Sequence, residues 1–464
     1  MTIRIDYGNM LAPNVEGGIG EEAWRGAEDA FAAARRTFEQ RRAAGELGFI
    51  SLAEGHSSVA ELRTFADGAG QAFNDIVVLG IGGSALGTIA LRSALRPARW
   101  NELDDEARDF FPRLHVLDNV DPVSIAPLLD RLDLGSTLFV VISKSGSTAE
   151  TMAQYLIVRE RLELALADGL QRHLVFITDP EKGALRAIAR RERLVSMDIP
   201  PNVGGRFSVL SPVGLLPAAL IGIDVDQLLE GAADMARRCE SATLRENPAG
   251  VFAMLQWLAD TRLGLRTQVF MPYGDALREM GDWFVQLWAE SLGKSRAEGG
   301  GTVGVGPTPL AAVGATDQHS QVQLFMEGTR DKTVTFLAVA ERDVELEIPR
   351  LHGDVPELAY LGGHKLGELL DIERRATAGA LARHGRPNMT ITLDRVDAWH
   401  VGGLIMLLEW ATVLAGALYG VNPLDQPGVE LGKRFTYAML GRADAEAARR
   451  EWESIPKPDS RWIL

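Results

Sequence analysis

The sequence predicts an α/β protein of two lobes, each a parallel sheet flanked by helices. Three observations carry the prediction. Apolar runs of four or five residues, the length of buried strands, alternate with helical patterns from residue 75 onward. The alternation breaks off across 226–264 and returns from 265. Polar, glycine-bearing turns follow the first and third runs, at the edge where a sheet covered on both faces presents its strand ends.

Residues 1–50 read as an N-terminal helical segment, amphipathic and rich in Ala, Arg and Glu from 20 to 45. The first lobe, 51–225, opens with the strand Ile76-Val77-Val78-Leu79, and Gly80-Ile81-Gly82-Gly83-Ser84 then turns into a helix to about Leu95. Leu114–Leu117, Leu138–Ile142 and Leu174–Ile177 are the next strands, with helical patterns between them. Bridging helices occupy 226–264. The second lobe, 265–420, repeats the pattern with strands at Gln268–Met271, Val334–Leu337 and Thr390–Leu393, and helices near 277–291, 361–384 and 398–419. A loop, a short helix and an extended tail complete 421–464.

Composition narrows the function. Hydrophobic residues make up 46% and charged residues 24% of the 464, as in an ordinary globular protein. The formal net charge of −15 argues against nucleic-acid binding, which needs a basic face. A single cysteine, Cys239, excludes an internal disulfide and points to the cytoplasm. The N-terminal residues lack a signal-peptide core. Val401–Val421 is apolar enough to invite a membrane reading, but it carries Glu409 and two glycines; a core or interface helix is expected, and no membrane.

Chemistry concentrates in a few segments. Ser143-Lys144-Ser145-Gly146-Ser147-Thr148 sits where a strand hands over to a helix, so hydroxyls, backbone N–H groups and the positive end of a helix dipole converge. A phosphate monoester suits that turn; a plain Ser/Thr helix cap is the rival reading. Gly82-Gly83-Ser84 forms a second such turn. The Gly80 loop also fits a loose dinucleotide fingerprint, but Asp118 lies 33 residues past Ala85, farther than that motif wants. Gly204-Gly205-Arg206-Phe207-Ser208 presents a guanidinium on a glycine pair, suited to developing negative charge.

The helix near 277–291 carries an apolar stripe of Met280, Trp283, Phe284, Leu287 and Trp288. Gln286 and Glu290 lie one turn apart on its flank and face the same way. A carboxylate in the last helical turn faces the negative end of the dipole, a setting that suits a general base. His319, in Asp317-Gln318-His319-Ser320, opens a further helical pattern. Lysine is scarce, 7 of 48 basic residues, which draws attention to Lys144, Lys294 and Lys433 in Gly/Ser-bearing turns. No His/Cys grouping has metal-ligand spacing, so no metal is expected.

These segments, in this order from Gly80 to Lys433, resemble phosphoglucose isomerases, a family built from two sugar-isomerase (SIS) domains. The resemblance implies interconversion of glucose 6-phosphate and fructose 6-phosphate, without a cofactor, by a homodimer with shared active sites. It assigns the 6-phosphate to Ser84, Ser143, Ser145 and Thr148, with Gly83, Lys144 and Gly205 among the substrate-binding positions. Glu290 becomes the base that moves a proton between C2 and C1, and Arg206 the group that stabilises the cis-enediolate. His319 and Lys433 assist ring opening; Gln286 and Gln426 contact the sugar. Departures are Ser145 where threonine is commoner, Leu292 where the family usually has Asn, and the loop before His319. A bifunctional phosphoglucose/phosphomannose isomerase and a non-catalytic sugar-phosphate sensor are the alternative readings; the sensor lacks its usual basic DNA-binding module here.

Overall fold

A computed structural model describes residues 2–54, 57–166 and 168–464. The chain divides into a compact unit Met1–Pro423 and a small C-terminal unit Leu424–Leu464.

Twelve strands are described: β1 Ile3–Asp6, β2 Asp75–Leu79, β3 Arg113–Leu117, β4 Thr137–Ser143, β5 Leu174–Thr178, β6 Val195–Asp198, β7 Thr267–Pro272, β8 Lys294–Arg296, β9 Thr302–Val305, β10 Thr308–Ala311, β11 Lys332–Val339 and β12 Asn388–Leu393. The first sheet has the order β3-β2-β4-β5-β6, parallel throughout. Its strands β2, β4 and β5 are buried along their whole length, which is why they read as unbroken apolar runs. The second sheet has the order β1-β12-β11-β7-β10. Leaving β1 aside, its connectivity matches that of the first: the leading strand lies between the second and third, and the fourth flanks the third. Both sheets therefore have a switch point beside their leading strand.

The structure adds elements that the sequence pattern did not indicate. Strand β1, inside the segment read as helical, pairs antiparallel with β12 and closes one edge of an otherwise parallel sheet. Strands β6 and β10 lie on sheet edges. Val-Ser-Met-Asp and Thr-Pro-Leu-Ala lack apolar runs because an edge strand is solvated on one side, and Pro309 is tolerated there. The β8–β9 hairpin is a separate two-stranded sheet.

The 22-residue helix Ala398–Tyr419 has a mean hydropathy of 1.8 over its most apolar window, of which 89% is buried within the fold. It packs against the helices Ala27–Ala43, Val225–Cys239, Pro248–Leu263 and Arg278–Leu292. It is a core helix, as its internal glutamate indicated. In the C-terminal unit the expected single helix is two, Glu430–Met439 and Glu446–Glu453, joined by an edge contact of Phe435 with Trp452. Ala and Glu in the second of these favour helix over extended tail.

Candidate active site

Strands β2 and β4 are neighbours that feed connections to opposite sides of the first sheet, so a crevice opens beyond their carboxyl ends. Ser143 ends β4 and is buried; Thr148 precedes the 17-residue helix Ala149–Ala165. The Thr148 hydroxyl caps nothing in that helix. It lies 2.9 Å from Ser143 Oγ and 3.3 Å from Ser145 Oγ, and the two serine oxygens are 3.4 Å apart. The N–H of Gly146 donates to Ser143 Oγ and that of Ser147 to Ser145 Oγ. The hydroxyls thus grade from buried Ser143 to exposed Ser145 around one point at a helix N-terminus. Such a cluster of hydroxyls at a helix N-terminus can accommodate an anion, and Thr148 makes no capping bond to its helix.

The glycine turn Gly82–Ser84 closes the other side. A Cβ on Gly83 would lie 2.4 Å from the backbone carbonyl of Gly205 and 2.8 Å from the nitrogen of Arg206, so only glycine lets the two loops meet. Ser208 ties them further, its hydroxyl donating to the carbonyls of Gly205 at 2.6 Å and Gly83 at 3.4 Å. Gly205 itself is exposed with open space where a side chain would be. Lys144 does not turn its ammonium into the cup. It donates to the carbonyls of Pro201 and Val203 at 2.8 Å each, fastening the segment that leads to Arg206. Burial lowers its pKa, against the opposing charge of Asp179.

Glu290 stands on the helix Arg278–Leu292, whose predicted stripe is buried as expected. Its Oε1 accepts from Gln286 Nε2 at 3.0 Å, the one-turn pairing read from the sequence. Its Oε2 accepts from Arg206 Nη1 at 3.2 Å. Arg206 is almost fully buried and divides its donors: Nε to Ser291 Oγ at 2.7 Å, Nη2 to the carbonyl of Pro423. A third of the Glu290 side chain stays open to solvent. Gln286 also reaches the glycine turn, since a Cβ on Gly82 would lie 2.9 Å from its Nε2. Lys294 donates to the Glu290 carbonyl at 2.6 Å, a cation at the helix C-terminus that holds the last turn. The first unit therefore brings the glycine turn, the Arg206 loop and the Gln286–Glu290 pair into contact.

His319, by contrast, is exposed and makes no hydrogen bond with Glu290 or Arg206. Its loop is anchored through Asp317, which accepts from the Val313 N–H and the Ser320 hydroxyl. Burial would raise the Asp317 pKa, but these hydrogen bonds hold it below the usual range. Lys433 and Gln426 belong to the C-terminal unit, where Lys433 Nζ donates to Glu430 at 2.8 Å. Among the described residues no group of three or more His, Cys, Asp or Glu is placed to hold a metal. Sequence reasoning missed Ser291, Ser208 and the Pro423 carbonyl as partners of this site. Ser291 was signalled only by adjacency to Glu290, and a backbone carbonyl carries no residue signature.

The family model for phosphoglucose isomerase matches residues 62–457. The chain belongs to the phosphoglucose isomerase family. A glucose-6-phosphate isomerase of Carboxydothermus hydrogenoformans is 45% identical over 466 residues, covering 100% of both chains. One from Rubrobacter xylanophilus is 47% identical over 448 residues, 95% of this chain and 98% of its own. Among solved structures, a hypothetical protein from Thermus thermophilus superposes with a TM-score of 0.84 at 39% identity, over 95% of this chain and 100% of that one. A glucose-6-phosphate isomerase from Chlamydia trachomatis shares the fold, with a TM-score of 0.72 at 24% identity over 86% and 76% of the two chains. Of the departures from the family pattern, Leu292 is fully buried at the end of its helix, and Ser145 keeps a hydroxyl in the cup.

Proposed function

We propose that this member of the phosphoglucose isomerase family interconverts glucose 6-phosphate and fructose 6-phosphate by a proton transfer through Glu290. The observation that carries the reading is the Glu290 carboxylate, fixed between Arg206 and Gln286 yet one-third exposed. The 6-phosphate sits on the hydroxyls of Ser143, Ser145, Thr148 and Ser84, with the backbone of Gly83, Lys144 and Gly205 alongside. Glu290 removes the proton alpha to the carbonyl, made acidic by that carbonyl, and returns it to the neighbouring carbon. The Arg206 guanidinium, already aimed at the carboxylate, balances the charge that appears on the cis-enediolate. No electrons leave the substrate, so the reaction needs no cofactor.

His319 and Lys433 take the ring-opening role, and Gln426 joins Gln286 on the sugar, on the strength of the sequence resemblance. The exposed position of His319 supports its delivery to the site of a partner subunit in a homodimer. Cys239 is buried and unpaired, which suits a reducing cytoplasm. Conversion of fructose 6-phosphate, read through glucose 6-phosphate formation, tests the activity; no turnover would refute it. Mixing Glu290→Gln with His319→Ala chains tests the sharing. If histidine acts across the dimer, each heterodimer regains one intact site and activity returns; if it acts within its own chain, the mixture stays dead.

A further inference from the structure

The two helices that frame the candidate active site also run to a second cleft. Helix Leu86–Leu95 begins just after the Gly82–Ser84 turn, and helix Arg278–Leu292 carries Glu290 in its last turn. They pack against each other, with Gln286 beside Gly82. Their opposite ends meet at a cleft of about 370 Å³ lined by Arg92, Arg96, Arg99 and Arg278. Ten residues of helix separate Arg96 from the Gly82–Ser84 turn, about 15 Å.

Three of the four guanidiniums have partners. Arg92 donates to the Leu114 carbonyl, Arg99 pairs with Glu102 at 3.5 Å and Arg278 with Asp275 at 3.0 Å. Arg96 differs. Its guanidinium lies 5.3 Å from the Trp100 ring centroid and 5.8 Å from that of Phe111. Stacking on rings leaves the in-plane N–H edge open to a ligand. Among the described residues its side chain makes no hydrogen bond or ion pair, and Nε is shielded from water without a partner. A guanidinium donor buried and unmatched is costly, so it marks a place where an acceptor belongs. The N-terminus of Arg278–Leu292 opens on the same cleft with no side chain capping it. Glu102, Asp275 and Glu279 are the carboxylates present. The first two are committed to exposed ion pairs, which are weak and readily exchanged. Glu279 faces Arg92. Arg96 feels the charge of Asp109 but forms no ion pair with it, so its N–H edge has no acceptor among the described residues.

We propose that this cleft is a second, non-catalytic binding site for a phosphate group, free or as a small monoester, with Arg96 as its principal ligand. The bidentate fork of arginine matches phosphate oxygens, and the uncapped helix N-terminus favours the same charge. The cleft is of the size that small ligands occupy.

Equilibrium dialysis of the full chain against labelled inorganic phosphate, and separately glycerol 3-phosphate, tests this. Wild type is expected to bind two equivalents per chain, one in the Ser143 cup and one in the cleft. Arg96→Gln is expected to bind one, with isomerase activity in phosphate-free buffer unchanged. Because Arg96 also packs on two rings, Arg278→Ala, at an exposed side chain, provides a second arm with an affinity loss of about tenfold at the cleft. Whichever of the two probes binds more tightly identifies the source. A single equivalent in wild type overturns the proposal, as do two equivalents at unchanged affinity in both variants. Loss of isomerase activity in wild type would instead refute the assigned reaction and leave this stoichiometry standing.

Discussion

Glu290→Gln separates the reaction from everything that holds the site together. The substitution is isosteric, and the structure shows how the network absorbs it. Glu290 accepts from Arg206 Nη1 and from Gln286 Nε2. In the variant the amide oxygen still accepts from Arg206, while the new NH₂ faces Gln286. The Gln286 Oε1 is buried and without a partner among the described residues, so a flip of that amide presents it as the acceptor. Two hydrogen bonds survive and one loses its charge assistance, which costs about 1 kcal/mol of stability, less for a group one-third exposed.

The chemical loss is far larger. A neutral amide cannot take the proton, and general-base assistance contributes roughly 10²–10⁴ in rate, or about 3–5 kcal/mol of barrier. The phosphate hydroxyls are untouched, so KM should stay within about threefold while kcat falls by at least about a hundredfold. Steady-state isomerisation gives both constants, and incorporation of solvent deuterium at C1 or C2 reports the proton transfer directly. A kcat within about tenfold of wild type, or undiminished deuterium exchange, would remove Glu290 from the role of base.

Ser143→Ala deletes the buried centre of the hydroxyl cup and should raise KM about 10–100-fold with a much smaller change in kcat, read by steady-state kinetics. Gly83→Ala forces a Cβ against the Gly205 backbone and should cost about 1–3 kcal/mol in urea unfolding, with a parallel fall in kcat/KM as the loops part. Glu409 is fully buried, and both its oxygens lack partners among the described residues; burial holds its carboxyl well above the usual range. The folded state therefore keeps a proton that the unfolded state releases near its ordinary pKa of about 4.3, and stability is lost as pH rises from there toward the folded value. Glu409→Met should be more stable than wild type at pH 7, with a gap that narrows on acidification to pH 4; urea titrations across pH measure it. Burial pushes the Cys239 thiol up to about 12, so iodoacetamide at pH 8 should label the protein only as it unfolds, a dependence that labelling along a urea series checks.

The parts of this molecule that the sequence made legible are those governed by short-range periodicity. A strand buried on both faces must be apolar at every position, so β2, β4 and β5 announced themselves. Gln286 and Glu290 could be paired because four residues make nearly one helical turn. Edge strands escaped notice for the same reason in reverse: β1, β6 and β10 need not be apolar throughout, and β10 even carries a proline. Lys144 shows the limit at the site itself. Its rarity and its place in the turn suggested ligand contact, yet its reach of four methylenes takes the ammonium to Pro201 and Val203.

Arg206 is the harder case. Its partners Glu290, Ser291 and Pro423 stand 84, 85 and 217 residues away. No local pattern encodes such contacts; they exist because Gly83 lets the Arg206 loop lie on the glycine turn and because the core helices bring the second lobe alongside. The proposed reaction needs a carboxylate carried on a rigid helix and a guanidinium carried on a loop to meet within hydrogen-bond reach, as Glu290 and Arg206 do. The fold achieves this by contact between glycine backbones, where no side chain intervenes. The residues that decide the geometry of the site are thus partly ones with no chemistry of their own, and Gly83→Ala should disturb the encounter of Arg206 with Glu290 although neither side chain is altered.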